Sequence, residues 1–359
     1  MRLLLRALVL IVVLGSTTAP AVAAAPLIEE QVVTVPDSAL FNGLLQLGGR
    51  LYASDPAAVV RFDSPASDLS IHTRAAFPRP GSQQFAYSAL TGKVYALLMS
   101  GVAEVDPETL AVRDVVTGTF GTGGICALGD SLFVLTAGFP SQVLRYGLAD
   151  YSRTGAATLA SGNGHTIDTD GTSLFAVPGY GITPAWFARL DPQTLNYTSV
   201  VIPGYGYTDT MAVHGGFAWL GDPLGNVVKI NTGTLSYTII RTGPQTTTLA
   251  VFGVSVAQGY VWATHGSFPG VITRIDPVTD AVETYTLPAG QEYPDLVVPG
   301  DNGKLYVDFY QSPQRMGRFV MGEPPPEPTS APTTTRTPTR TPTKRIPPGL
   351  FKKTRTPTP

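Results

Sequence analysis

The chain is written in short runs of β-branched and aromatic residues, cut again and again by glycine, proline, asparagine or aspartate. Residues 258–287 show the form. Gln-Gly-Tyr-Val-Trp-Ala-Thr is followed by a polar connection, then Val-Ile-Thr-Arg-Ile-Asp-Pro-Val-Thr-Asp, then Ala-Val-Glu-Thr-Tyr-Thr-Leu. Val, Ile, Thr, Tyr and Trp suit a pleated, half-buried surface, so the stretch predicts three strands. The cut between the last two, Asp276-Pro277-Val278-Thr279, predicts a type I turn: Asp bonds the following backbone and Pro pre-sets φ. Long helical periodicity is absent.

Recurrence of this unit fixes the architecture. An aromatic follows a glycine-rich turn at Tyr52, Tyr95, Phe133, Phe175, Trp219, Trp262 and Tyr306, at spacings of 43, 38, 42, 44, 43 and 44 residues. A second marker keeps step with it. This is a basic residue ahead of the Asp-Pro turn, at Arg61, Arg145, Arg189, Lys229, Arg274 and Arg318, with Glu104 once in its place. The turn is intact at Asp106-Pro107, Asp191-Pro192 and Asp276-Pro277, and altered to Asp63-Ser64-Pro65, Gly147-Leu148 and Asn231-Thr232-Gly233 elsewhere. A period of ~40–45 residues with four strands per unit is the mark of a β-propeller blade. The sequence therefore predicts an all-β fold, a seven-bladed β-propeller of four-stranded antiparallel blades. The innermost strands lie just ahead of the aromatics, at 43–47, 85–89, 124–128, 166–169, 210–214, 253–257 and 296–298.

The ends complete this picture. The seventh unit has no outer strand after Phe319, whereas Glu30-Gln31-Val32-Val33-Thr34-Val35-Pro36 reads like the sixth unit's outer strand, Glu283-Thr284-Tyr285-Thr286-Leu287-Pro288. The N-terminal strand is expected to complete the last blade and leave no open sheet edge. Residues 1–25 read as a signal peptide. Arg2 and Arg6 flank its start, its apolar core at 8–14 is too short to span a bilayer, and Ala21-Val22-Ala23-Ala24-Ala25 offers small-residue cleavage sites. Residues 26–322 are the propeller. From Glu323 the chain turns to Pro, Thr and Arg, and 323–359 is expected to be a disordered basic tail with almost nothing apolar to bury.

Charge separates these parts. Residues 26–322 carry 15 Lys and Arg against 24 Asp and Glu, a net of −9, while 323–359 carry 7 against 2, a net of +5. An acidic body with no basic, aromatic-interleaved stripe argues against a nucleic-acid partner. The tail reads either as a solvated spacer open to O-glycosylation or as a contact with an anionic cell-surface polymer or membrane. The single cysteine, Cys126, has no partner for an internal disulfide and lies in the apolar inner-strand segment Gly-Gly-Ile-Cys-Ala-Leu, where a buried, inert thiol is expected. A monomer is expected.

No phosphate loop, Cys-x-x-Cys, His-Glu-x-x-His or Gly-x-Ser-x-Gly is present. The site is expected where propellers carry theirs, in the loops at the mouth of the central channel. Counting back from each aromatic to the start of the inner strand gives Asn42, Gln84, Gly123, His165, Asp209, Phe252 and Asp295. Five of these seven are polar or ionisable. Such a ring either binds a polar ligand or a cation, or meets channel water. Among the histidines, His72 reads as a surface residue of an outer strand and His214 sits beside a Gly-Gly turn. His265 ends a second strand and can face the mouth. His165 is the one weak catalytic candidate, an acid/base that Asp209 or Asp295 can orient. Two loops, Val177-Pro178-Gly179-Tyr180-Gly181 and Ile202-Pro203-Gly204-Tyr205-Gly206-Tyr207, set Tyr180 and Tyr205 between glycines. Those rings either stack on a sugar or a protein, or fold back on neighbouring blades.

The units Tyr-Val-Trp-Ala-Thr…Val-Ile-Thr-Arg-Ile-Asp-Pro and Lys-Val-Tyr-Ala-Leu…Val-Ala-Glu-Val-Asp-Pro resemble blades of the streptogramin lyase-like and YVTN-type propellers, over all the blades and neither terminal segment. The resemblance implies the fold. In the lyases, repeated Trp-Phe-Thr-Glu phrases and channel histidines serve a metal-assisted ring-opening elimination. His165, in Gly-His-Thr-Ile, matches one such histidine. Trp262-Ala263-Thr264-His265 has His where the phrase has Glu, and Trp219-Leu220-Gly221-Asp222 keeps only an acid. With the set incomplete, the expected function is an exported ligand-binding or protein-interaction module at or outside the cell surface. Its partner would be a protein or a polar small-molecule or carbohydrate ligand. The alternative is a metal-dependent lyase or hydrolase working at the mouth, with a divalent cation there as cofactor.

Overall fold

The computed structural model describes residues 27–38, 40–121, 123–159, 163–178, 185–202, 210–242, 250–300, 303–311 and 313–321. The expected signal peptide and tail lie outside the described residues, as do Tyr180, Tyr205 and Asp209, whereas Gln84 is described and its Nε2 donates to Thr166 Oγ1 of blade four at 3.3 Å.

Within them the strands, numbered in chain order from β1 to β28, form seven four-stranded antiparallel sheets. In blade one, β2 (Gly43–Leu47), β3 (Arg50–Asp55), β4 (Ala58–Phe62) and β5 (His72–Ala76) follow one another outward from the centre. The other innermost strands are β6 (Ser82–Ser88), β10 (Gly124–Leu128), β14 (Gly164–Thr169), β18 (Met211–His214), β22 (Val251–Ala257) and β26 (Pro294–Pro299). Each touches the next around the ring, and β26 touches β2. The last blade is β26, β27 (Lys304–Phe309), β28 (Arg315–Met321) and, outermost, β1 (Leu27–Thr34). Leu27 stands opposite Met321 and Thr34 opposite Arg315. The N-terminal strand closes the ring as the sequence predicts, and it begins at Leu27 rather than Glu30.

Both markers of the repeat are joints between blades. All seven aromatics are 1 % exposed or less, because each ring fills the space between its own sheet and the next. Tyr52 packs with Val94 and Ala96 of blade two, and Trp262 with Leu305 and Val307 of blade seven. Burying one such side chain contributes about 1.5–3 kcal/mol. The core is thus a ring of interfaces, which is how so long a chain remains one body.

The basic marker fastens the polar edge of the same interfaces. Asp276 Oδ1 accepts the N–H groups of Val278 and Thr279 at 2.8 and 2.9 Å, and Asp106, Asp191 and Asn231 do the same in their turns. The carbonyls of these turns then receive a cation from the preceding blade. Arg61 Nη1 donates to Pro107 O and Glu108 O at 3.0 and 2.7 Å, and Arg145 Nη1 to Pro192 O and Gln193 O at 3.1 and 2.7 Å. Arg189 reaches Thr232 O and Gly233 O, and Lys229 reaches Pro277 O. Arg318 of blade seven donates to Pro65 O of blade one at 2.7 Å, across the closure. Two of the departures from the repeat meet at one joint: the Tyr151 hydroxyl, from the altered turn of blade three, donates to Glu104 of blade two.

Candidate functional site at the channel mouth

The seven inner strands enclose a channel of about 870 Å³, lined from Asn42, His165 and Asp295 at one end to His214 and Val298 at the other. Small residues let these strands crowd together. A Cβ on Gly124 would stand 2.7 Å from Ile167 N of the next blade, so the backbones approach there with nothing between them.

Four inner strands carry a β-bulge at the mouth end. The register slips between Ser82 and Phe85, Gly164 and Thr166, Val251 and Val254, and Pro294 and Val297. The bulged stretches hold Gln84, His165, Phe252 and Asp295, four members of the column read from the sequence. These residues therefore belong to strands rather than to the loops ahead of them. A bulge leaves its extra residue out of the ladder and re-aims its side chain. Asn42 stands just ahead of β2, its N–H bonded to Ser54 O at 2.8 Å. His165 Nδ1 lies 3.3 Å from Thr166 Oγ1. Blades four and seven, which carry His165 and Asp295, face each other across the ring.

Two carboxyls behind this ring escaped the sequence column. Asp168, half-buried in β14 and lining the channel, accepts the Thr169 N–H at 2.8 Å and, with its other oxygen, the Val213 N–H of the next blade at 3.2 Å. Burial outweighs those bonds and pushes its pKa up to about 6. Asp308 stands opposite the β26 bulge and is 1 % exposed. Its Oδ1 accepts the Leu296 N–H at 2.6 Å, and its Oδ2 accepts Gln314 Nε2 at 3.3 Å. Burial, and then the neighbouring Asp295 carboxyl, hold Asp308 well above the usual carboxylate range. Both were visible as lone charges in apolar strands, in His-Thr-Ile-Asp and Tyr-Val-Asp-Phe. Cys126 is buried, and burial followed by the Asp168 charge raises its thiol well above the ordinary value, so it is inert at neutral pH.

The aromatic members are positioned too. Phe252 lies on Gly266, where any Cβ would run into its ring. Tyr310, just after β27, is 55 % exposed and lines the channel, its N–H bonded to Tyr293 O at 2.8 Å.

Two residues that the resemblance brought forward do not face the mouth. His265 is fully buried between strands, with Nε2 3.0 Å from Thr273 Oγ1, so the expectation that it looks into the channel is wrong. Asp222 is spent on its own loop: Oδ1 accepts the N–H groups of Leu224 and Asn226 at 2.8 and 2.7 Å, and Oδ2 accepts Asn226 Nδ2 at 2.8 Å. His72 sits on an outer strand and His214 is exposed at the far end of the channel. Among the described residues, no three His, Cys, Asp or Glu side chains converge as a metal-ligand set.

Fold and site together define a seven-bladed β-propeller with a polar, acid-lined channel. No protein-family description matches the chain, and no curated protein resembles it in sequence. Solved structures resemble it in fold. Streptogramin B lyase is 13 % identical with a TM-score of 0.67, over 83 % of this chain and 98 % of that one. A chain of the mitotic checkpoint complex is 12 % identical with a TM-score of 0.67, over 89 % and 100 %. The extracellular domain of a proposed one-component system from B. thetaiotaomicron is 12 % identical with a TM-score of 0.64, over 82 % of this chain and 43 % of that one, so this chain spans less than half its length. At such identities the likeness is one of fold, and it agrees with the propeller read from the repeat.

Proposed function

We propose that the protein is an exported binding module that takes a polar ligand at the mouth of its channel. The observation that carries this reading is the placement of the bulges. A blade closes without one, as β2 and β10 pair with their neighbours in unbroken register. A bulge disrupts the ladder, so four at one end of one channel, each at a residue of the mouth ring, are best explained by what they aim. Lyase chemistry draws less support, since His265 and Asp222 are committed to structural hydrogen bonds, and of the residues that the resemblance brought forward His165 alone lines the described channel. Export is supported by the leader-like residues 1–25 and agrees with an extracellular domain among the proteins of like fold.

The test is a thermal-shift screen of amines, saccharides, organic acids and divalent metals on the wild type, Asp295→Ala and His165→Ala. At least one compound is expected to raise the wild-type midpoint and to shift each variant less. A wild type that nothing shifts, or variants that respond equally, would remove the mouth as the site. N-terminal mass spectrometry of protein from the medium is expected to find a chain starting after Ala25, and an intact Met1 would remove the export.

A further inference from the structure

We infer that the ligand of this channel is an organic cation, an ammonium or guanidinium group on a slender or flat apolar body. The charge would lie against Asp295 and Asp168, and the body against Phe252 and Tyr310. The inference rests on the mouth reading above and names the class of ligand.

Charge in the lining is one-sided. Among the described lining residues the carboxyls are Asp168 and Asp295 and the imidazoles are His165 at the mouth and His214 at the far end, and no Lys or Arg is present. The protein's cations are engaged elsewhere: Arg61, Arg145, Arg189, Lys229 and Arg318 are bound to the turns that join blades at the opposite end of the strands. Among the described residues Asp168 has the backbone N–H groups of Thr169 and Val213 for partners and no side chain that compensates its charge. A carboxylate held in a narrow channel without a counter-ion is unfavourable, and a cation entering that channel relieves the cost. A neutral ligand can donate hydrogen bonds to the same carboxylates but brings no opposite charge, and an anionic one adds repulsion.

The rest of the lining suits the remainder of such a molecule. Phe252 is one of the bulge residues and is held in place on Gly266, while Tyr310 presents an exposed ring at the same mouth. An aromatic face attracts a cation and also packs an apolar body. Residues of every blade line the channel from mouth to far end, so an extended molecule can reach Asp168 past Asp295. The volume of about 870 Å³ lies within the range of small-molecule sites.

The experiment is isothermal titration of the full chain with spermidine and with arginine amide, beside maltose, citrate and calcium chloride. Wild type is compared with Asp168→Asn, Asp295→Asn and the double variant, with Asp150→Asn on the far face as control. The amines are expected to bind, more weakly at high salt. Each mouth variant should bind about ten- to a hundredfold more weakly, the loss of one charge-assisted contact. Asp150→Asn should bind as wild type does. Maltose or citrate binding that the mouth variants abolish, with no amine binding, would overturn the cation inference and leave the mouth reading intact. Calcium binding lost in the same variants, without amines, would replace the organic cation by an inorganic one and overturn it equally. Amine binding unchanged in the double variant would put the amines elsewhere and also overturn it. No binding by any probe would count against both readings.

Discussion

Replacing Asp168 with asparagine is expected to stabilise the free protein at neutral pH and to change little in acid. The carboxyl titrates at about 6 in the folded protein instead of 3.8, because burial in the channel wall penalises its charge more than two backbone N–H groups favour it. Between those two values the folded protein keeps a proton that the unfolded chain has released. Stability therefore falls as pH rises through that window and stays low above it. A gap of about 2 pKa units, at about 1.4 kcal/mol each, makes the cost about 3 kcal/mol at full ionisation. Asparagine keeps the shape and one acceptor but gives up a charge-assisted bond to Val213, which returns about 1 kcal/mol. The net gain at pH 7 is then about 2 kcal/mol, or about 4 °C in Tm for a chain of this size. The assay is urea unfolding, followed by tryptophan fluorescence, at a series of pH values between about 4 and 7 for both proteins. Wild type should lose stability across the series, and the variant should lose about 3 kcal/mol less. A variant with the wild-type slope, or one less stable at pH 7, would refute the reasoning.

Two further outcomes follow from the joints. Arg145→Met leaves Pro192 O and Gln193 O without their donor, and should cost about 2–3 kcal/mol and lower Tm by about 5 °C; a melt within a degree of wild type would show the staple to be idle. A chain lacking residues 27–34 exposes the unpaired edge of β28 and uncovers Phe319, and should aggregate or melt well below the intact protein on size-exclusion and calorimetry. An unchanged melt would mean that the ring closes by some other means.

The sequence disclosed the fold because each blade repeats the same two joints. An aromatic that must fill the space between sheets, and a cation that must reach a turn, leave marks at fixed spacing whatever lies between them. Even the inner strands and the closing strand were legible from those marks. The bulges were not. A bulge such as Pro294–Val297 shows only when β26 is laid against β27, so the inner strand was read as 296–298 with Asp295 merely at its start. Asp308 and Asp168 were missed for a related reason: the column counted one position per blade, and these carboxyls stand one strand outward and three residues inward of it. His265 misled because it ends a second strand, a place from which a side chain can face the mouth, while its ring is turned between strands to meet Thr273.

The two ends of the strands break the repeat in different ways, and the difference separates structure from function. At the turn end, Glu104 replaces a cation, and the turn it would have met has become Gly147-Leu148 with Tyr151. The Tyr151 hydroxyl donates to Glu104, so one departure answers the other and the joint is kept with its polarity reversed. Such a pair needs nothing outside the fold to explain it. Along the channel no side-chain partner answers Asp168 among the described residues. Asp168 replaces an apolar residue and meets only backbone amides, and its raised pKa marks the cost. Asp308 sits where blade six has Thr264, a residue that makes the corresponding bond to the inner strand without a charge. The second oxygen of Asp308 is taken by the buried Gln314 amide, so Asp308 is partly answered by the fold, and Asp168 is the clearer case. A carboxylate in the channel wall that the fold does not require supports the proposed reading of this channel as a ligand site.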